Sequence, residues 1–276
     1  MKAAAPIGWL AAALTGAEAA AVDLPPPSPT PAAVGDQRLV FSTNGSTLTG
    51  GSGGGGASAA WLGSVGPDAV LGAGAEYQQI ANAHWTTGSF TGSMGFGGGR
   101  THLYVDAHEG AGDVGDHAFH YSVASLGLLG LLTPELTLQL EERYIDIDKS
   151  HGSLPKLGLT YRVTLELSAS VSYAKSFRGN LGTRLVTGRI DYTGVSFNAM
   201  AGLAGGPAAP AVIFSGPGVN FVAPGPKLHE GFVGIGKTFG RSDWLLLGDY
   251  QDVSGTRRTS ITVNCTVHLR APAQAP

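Results

Sequence analysis

The chain does without several things. It has one cysteine, three methionines and, for 276 residues, a charged share of only 13%. A lone Cys265 cannot form an internal disulfide, and it excludes paired-cysteine zinc and redox motifs. The charged share is about half the ~25% usual for a soluble domain, so the surface is not that of an ordinary cytosolic protein. The net charge of −3 leaves no basic surplus and excludes nucleic acid as a partner. Beyond the first residues there is no apolar run of about 18, which excludes a transmembrane helix. Gly234-x-Gly236-Lys237-Thr238 resembles a phosphate loop only faintly and has the wrong spacing, so no cofactor is expected. What the chain has in excess is glycine, 43 of 276 residues, more than twice the usual ~7% and without a three-residue repeat.

The clearest pattern lies near the C-terminus. Ser260, Thr262, Asn264, Thr266 and His268 alternate with Ile261, Val263, Cys265, Val267 and Leu269. A period of two is that of a β-strand, whose successive side chains point to opposite faces. Similar runs recur along the chain. Arg38–Thr47 comes first, then a glycine-rich loop over Gly51–Gly56. Ser58–Val65 and Ala69–Ile80 flank a Gly66-Pro67-Asp68 turn. Thr86–Phe96, Arg100–His108, Ala118–Leu129 and Leu136–Ile145 follow. Leu157–Tyr173 is too long for one membrane strand of about 9–11 residues, and it divides near Val163–Glu166 into two. Thr183–Tyr192 and Val195–Leu203 form a hairpin about Thr193-Gly194, and Leu228–Phe239, Asp243–Gln251 and Thr259–Leu269 complete the series. The total is about 14 strands, within a range of 12 to 16, and an even number returns both termini to one side. Ala204–Lys227 is a long Pro/Gly-rich connection that either folds into the lumen or carries two more strands about Ser215-Gly216-Pro217-Gly218.

An all-β, antiparallel, up-and-down transmembrane β-barrel fits this pattern better than a soluble β-sandwich. The polar faces carry Ser, Thr, Asn and Gly rather than Lys and Glu, as suits a lumen. Aromatic residues cluster near strand ends (Trp61, Tyr77, Trp85, Tyr121, Tyr144, Tyr161, Tyr173, Tyr192, Trp244, Tyr250), where interface girdles would lie. Strand follows strand without a helix, and closure leaves no edge exposed to lipid. Lys2, the apolar run Ile7–Thr15 and small residues near Ala19-Ala20-Ala21 have the layout of a secretory signal peptide. The expected organisation is a signal peptide at 1–21, a Pro-rich periplasmic linker at 22–36, the barrel at 37–270 and a tail at 271–276.

On these residues, Arg38 to Leu269 resembles Gram-negative outer-membrane β-barrel proteins. The turn Thr133-Pro134-Glu135 before Leu136-Thr137-Leu138-Gln139-Leu140 and the final alternating strand carry the resemblance. The last strand ends at Leu269-Arg270 rather than at the terminal aromatic residue usual in such proteins. The resemblance implies residence in the cell outer membrane. It also implies contact with outer-membrane lipid and lipopolysaccharide, and insertion by the barrel-assembly machinery.

The richest polar cluster is Asp106, His108, Glu109, Asp113, Asp116, His117 and His120. Pairing of Arg100–His108 with Ala118–Leu129 sets Asp106 opposite His120 and Tyr104 opposite Ser122, all four facing the lumen. Three readings follow: a polar lumen wall, a divalent-metal site, and a hydrolytic arrangement of Asp106, His120 and Ser122. A second set is Glu141, Arg143, Arg162, Glu166, Arg178, Arg189 and Asp191. Charges inside a barrel are paired, and opposed rows of them set selectivity. The lumen-lining candidates are therefore Asp106, His108, His120, Glu141, Arg143, Arg162, Arg189 and Asp191, with no catalytic or metal residue assigned. Glu142 falls on the lipid side, a costly place at mid-depth. The expected function is a passive channel or export pore for small polar solutes or polysaccharide. The alternatives are a lipid-modifying outer-membrane hydrolase, and a structural or adhesion barrel or secreted ligand-binding sandwich.

Overall fold

A computed structural model describes residues 36–50, 53–147, 150–207, 212–215, 218–221, 227–253 and 255–269. The expected signal peptide, nearly all of the linker and the C-terminal tail lie outside the described residues. The elements are β1 (Gln37–Leu48), β2 (Gly53–Gly66), β3 (Ala69–Ile80), β4 (Ala83–Phe96), β5 (Thr101–Val114), β6 (His117–Leu131), β7 (Leu136–Ile147), β8 (Ser150–Arg162), β9 (Leu167–Lys175), β10 (Arg178–Gly179), β11 (Arg184–Thr193), β12 (Asn198–Pro207), β13 (Val212–Ser215), β14 (Gly218–Phe221), β15 (Lys227–Phe239), β16 (Ser242–Val253) and β17 (Thr256–His268).

Fourteen of these strands close into a ring. Each of β2 to β8 pairs with its predecessor, β17 pairs with β1, and the order continues β16, β15, β12, β11, β9. The ring closes where Lys156–Arg162 of β8 pairs with Ala174–Ser168 of β9. Every described pairing is antiparallel, so each backbone donor and acceptor in the wall has a neighbouring strand, the condition for crossing a bilayer without a helix. The two-residue β10 extends β9 along β8, pairing Arg178 with Ser153 and Gly179 with Gly152. β13 and β14 form a separate hairpin in the long connection, Ser215 opposite Gly218, so that connection does carry two more strands.

Short turns follow from local residues. Val163–Glu166 forms the turn between β8 and β9, where the sequence pattern divides. At Gly97-Gly98-Gly99 all three φ values are positive, 61°, 66° and 83°, a path that only glycine follows without cost. The glycine-rich stretch departs from expectation: Gly53–Gly56 is not loop but the start of β2, with Gly54 facing Ser46. A Cβ on Gly54 would lie 2.6 Å from Ile80 Cα, so the missing side chain lets β1, β2 and β3 pack closely there.

Alternation divides the wall into two faces. Phe41, Phe90, Val105, Leu126, Leu157, Leu246 and Ile261 point outward and are exposed, as an apolar band against lipid would be. Tyr77, Tyr144, Tyr173 and Tyr250 lie on this face toward one end, and Trp61, Phe96, Tyr161 and Trp244 toward the other. Two of the aromatic residues expected in the girdles, Trp85 and Tyr121, instead point inward and are buried. Their positions share a parity with Thr87 and Ser125, which line the lumen.

Candidate functional site: the barrel lumen

The inward positions form three zones along the barrel. At the end that holds Gln37 and His268, the near end, small apolar groups lie inside: Val40, Ala60 and Leu62 on β1 and β2, and Met200, Phe232 and Leu245 on β12, β15 and β16. Arg38 pairs there with Asp36 at 2.5 Å, and His268 with Asp243 at 2.8 Å.

The middle zone is polar, and its centre is Glu141 on β7. Tyr104 donates its hydroxyl to Glu141 Oε2 at 2.7 Å, and Gln139 Nε2 donates to the same oxygen at 3.2 Å. Arg143 Nη2 reaches Oε1 at 2.7 Å, and Lys156 Nζ reaches Oε2 at 3.2 Å. Arg143 Nε also donates to Ser125 Oγ at 3.1 Å. The carboxylate and the ammonium are almost wholly buried, at 2% and 5% side-chain exposure. A charge so removed from water is tolerated only when paired and hydrogen-bonded, and Glu141 meets that condition from three strands at once.

Other pairs repeat the rule around the wall. His108 Nε2 lies 2.5 Å from Asp106 Oδ2 on β5. Arg189 Nε donates to Asp191 Oδ1 at 2.8 Å on β11. Gln251 Nε2 donates to Glu230 Oε1 at 3.1 Å between β16 and β15, and Arg258 stands 3.7 Å from Asp249 between β17 and β16. Along the β1–β17 seam, Ser42 faces Asn264, Asn44 faces Thr262 and Ser46 faces Ser260, a ladder of small polar groups inside the lumen. Against β8 and β9 the wall opens into a recess lined by Gln139, Lys156, Ser170, Ser172, Thr187 and Arg189, among other residues, none of them a carboxylate.

The distal zone, at the opposite mouth, is apolar. Leu48, Ile80, Ala83, Trp85, Val114, Phe119, Tyr121, Ile145, Ile147, Leu154 and Ala174 form one buried cluster on β1 and β3 to β9, joined by Leu181 from the connection before β11. Leu185, Leu228 and Val253 continue the apolar lining on β11, β15 and β16. Thr87 and the Tyr121 hydroxyl make a short hydrogen bond across this zone, from β4 to β6.

Six of the eight lumen candidates are inside: Asp106, His108, Glu141, Arg143, Arg189 and Asp191. Two are corrections. His120 points outward and is exposed, because the inward set on β6 is Phe119, Tyr121, Val123 and Ser125. Arg162 is exposed at the last position of β8, where the turn begins, outside the lumen. From the second polar set, Glu166 lies exposed in that turn and Arg178 exposed on β10.

The pairing of β5 with β6 also differs from expectation. Asp106 stands opposite Ser125, Tyr104 opposite Gly127, and His120 opposite Ala111. The β5–β6 turn is tight, at Gly115-Asp116: β5 runs six residues past its expected end at His108 and β6 begins one residue before Ala118, so the register shifts, and Ser122, like His120, lies on the outer face. Asp106 lies on the inner face and His120 and Ser122 on the outer one, which removes the hydrolytic arrangement. Among the described residues no group of three or more His, Cys, Asp or Glu side chains is placed to hold a metal ion.

Sequence reasoning missed Glu76, Lys156, Glu230, Asp249 and Arg258, all inside. Lys156 was within reach: it continues the polar even positions Gly158 and Thr160 by one step, before the apolar odd positions begin.

The structure is similar to several solved outer-membrane proteins. The CymD monoaromatic hydrocarbon channel superposes with a TM-score of 0.55 at 10% identity, over 87% of this chain and 90% of that one. A Pseudomonas aeruginosa FadL homologue gives 0.55 at 8% identity, over 85% and 91%. The Pseudomonas putida toluene transporter TodX gives 0.50 at 10% identity, over 86% and 89%. These likenesses are of fold. No curated protein matches the chain in sequence. The family described as TonB-dependent receptor-like β-barrel matches residues 14–227. That span includes most of the barrel wall, and the chain belongs to this family of outer-membrane β-barrels.

Proposed function

We propose that the protein is a passive outer-membrane channel for small solutes, running through the barrel. One observation carries this reading: charged and hydroxyl-bearing side chains are gathered on the inner face of a closed fourteen-stranded wall whose outer face carries an apolar band. In a barrel filled for stability alone, hydrocarbon would serve better, since replacing buried ion pairs by well-packed apolar groups is often neutral or stabilising. Rows of acid and base facing a lumen are a means of selecting what passes. The hydrocarbon channels that share this fold support a transport role.

In this reading the near end faces the periplasm, as termini do in even-stranded barrels. A signal peptide at residues 1–21 is cleaved after export, and 22–36 is a periplasmic linker. Outer-membrane lipid and lipopolysaccharide surround the apolar band, and the barrel-assembly machinery inserts the chain. The test is reconstitution of the purified barrel into planar bilayers. Discrete current steps support a channel, and a bilayer that stays silent at high protein load, with the loosened variants described below included, refutes it.

A further inference from the structure

We propose that the segment 176–183 is the gate of this channel, that Leu181 is its closing side chain, and that it makes the distal mouth a filter favouring solutes with an apolar face. The inference rests on the channel reading and deepens it. Leu181 sits in a connection between strands, where side chains usually meet water, yet it is fully buried, at 0% exposure. Its neighbours Asn180 and Gly182 are exposed. The segment turns Phe177, Arg178 and Asn180 outward and Leu181 and Thr183 inward, the leucine against the apolar cluster at the mouth. A Cβ on Gly152 of β8 would lie 3.0 Å from Leu181 Cγ, so the glycine makes the seat in which this leucine rests.

The segment is tied to β8 and across its own neck. Asn180 N donates to His151 O at 3.0 Å, and His151 N donates to Asn180 Oδ1 at 2.9 Å. Phe177 N donates to Ser153 O at 3.0 Å, and Ser176 N to Thr183 O at 2.9 Å. Gly179 and Gly182 flank the leucine with φ of 82° and 62°, so the backbone on both sides has conformations that glycine exchanges freely. A leucine seated among hydrocarbon at a pore mouth excludes water, and hydrophobic constrictions close channels to ions by dewetting. A solute that presents an aromatic or aliphatic face replaces the leucine's contacts as it passes, whereas a hydrated solute does not.

The experiment measures currents of the full barrel and its variants in planar bilayers, with heat-dependent gel mobility confirming that each variant has folded. Leu181→Ser is expected to raise conductance in potassium chloride at least fivefold over wild type, and Leu181→Met to leave it within twofold. Asn180→Ala, which loosens the anchor without touching the apolar contacts, is expected to raise the frequency of open events. Reversal potentials with potassium benzoate on one side and potassium gluconate on the other, at pH 8, read the filter. Wild type is expected to prefer benzoate at least fivefold, and Leu181→Ser to lose most of that preference. Equal, non-zero conductance and an equal benzoate ratio in wild type and Leu181→Ser would overturn the gate and leave the channel standing. Silence from every folded variant would overturn both.

Discussion

Lys156 on β8 and Glu141 on β7 face each other across the lumen side of the wall, ammonium to carboxylate at 3.2 Å, and both are buried. Glu141 also serves Arg143, Tyr104 and Gln139. Removing its charge leaves two cations inside the barrel with their shared counter-ion gone. Glu141→Gln is expected to destabilise the barrel by about 3–5 kcal/mol, the usual cost of stranding one half of a buried pair. Lys156→Gln should cost less, since Arg143 still neutralises Glu141. A double-mutant cycle by urea unfolding in detergent micelles checks this; additive effects of Glu141→Gln and Lys156→Gln would mean that the pair is not coupled.

The same substitution changes what the lumen offers to ions. With Glu141 neutral, Lys156 and Arg143 add net positive charge to the middle zone. In the Leu181→Ser background, where current is expected to be ample, Glu141→Gln should shift the reversal potential in a potassium chloride gradient toward that of chloride. A shift toward potassium would mean that this part of the wall does not border the conduction path.

Thr87 and Tyr121 join β4 to β6 inside the apolar distal zone, with Thr87 only 1% exposed. Tyr121→Phe keeps the ring in the cluster and strands the threonine hydroxyl. The expected loss is about 1–3 kcal/mol, the cost of an unsatisfied buried polar group. Tyr121→Phe combined with Thr87→Val removes both partners and should recover most of that loss in the same unfolding assay.

Glu142 holds the outward position that alternation assigns to it, opposite Leu126 on β6 and Pro155 on β8. Leu140 and Tyr144 flank it on the same exposed face. The register does not slip to spare it. Glu142→Leu is expected to stabilise the folded barrel in lipid bilayers by about 1 kcal/mol, since carboxylates on the lipid face cost less than cations do. By contrast, Leu246→Arg, between Trp244 and Tyr250 on β16, should destabilise by about 2–4 kcal/mol, the penalty for a cation near the bilayer midplane. Equal tolerance of arginine at Leu246 and at the lumen position Thr262 would contradict the assignment of the two faces.

The wall was largely legible in the sequence because a period of two is imposed by the pleat itself. β17 shows this best, Ser260, Thr262, Asn264 and Thr266 lining the lumen and Ile261, Val263 and Val267 facing out, as the pattern predicts. The division of Leu157–Tyr173 at Val163–Glu166 was legible for a related reason, since no membrane strand needs seventeen residues. Other features were not. Gly53–Gly56 has no side chains to alternate, so nothing marked it as strand. The opposition of Asp106 to His120 failed because pairing depends on the length of the turn, and a shift there moves every partner along both strands. Trp85 and Tyr121 looked like interface residues because an aromatic side chain near a strand end serves a girdle or a lumen mouth equally well, and only its parity separates the two. Leu181 carried no signal at all, since its burial depends on a turn folding inward over Gly152.

The most direct test of the barrel itself is the gel mobility of the protein extracted from the outer-membrane fraction, loaded with and without boiling. A closed wall of fourteen paired strands resists detergent until heated, so the unboiled protein should run as a compact band that shifts on boiling. A protein recovered in the soluble periplasmic fraction, with one band that heat does not move, would contradict the membrane barrel and the channel proposed through it.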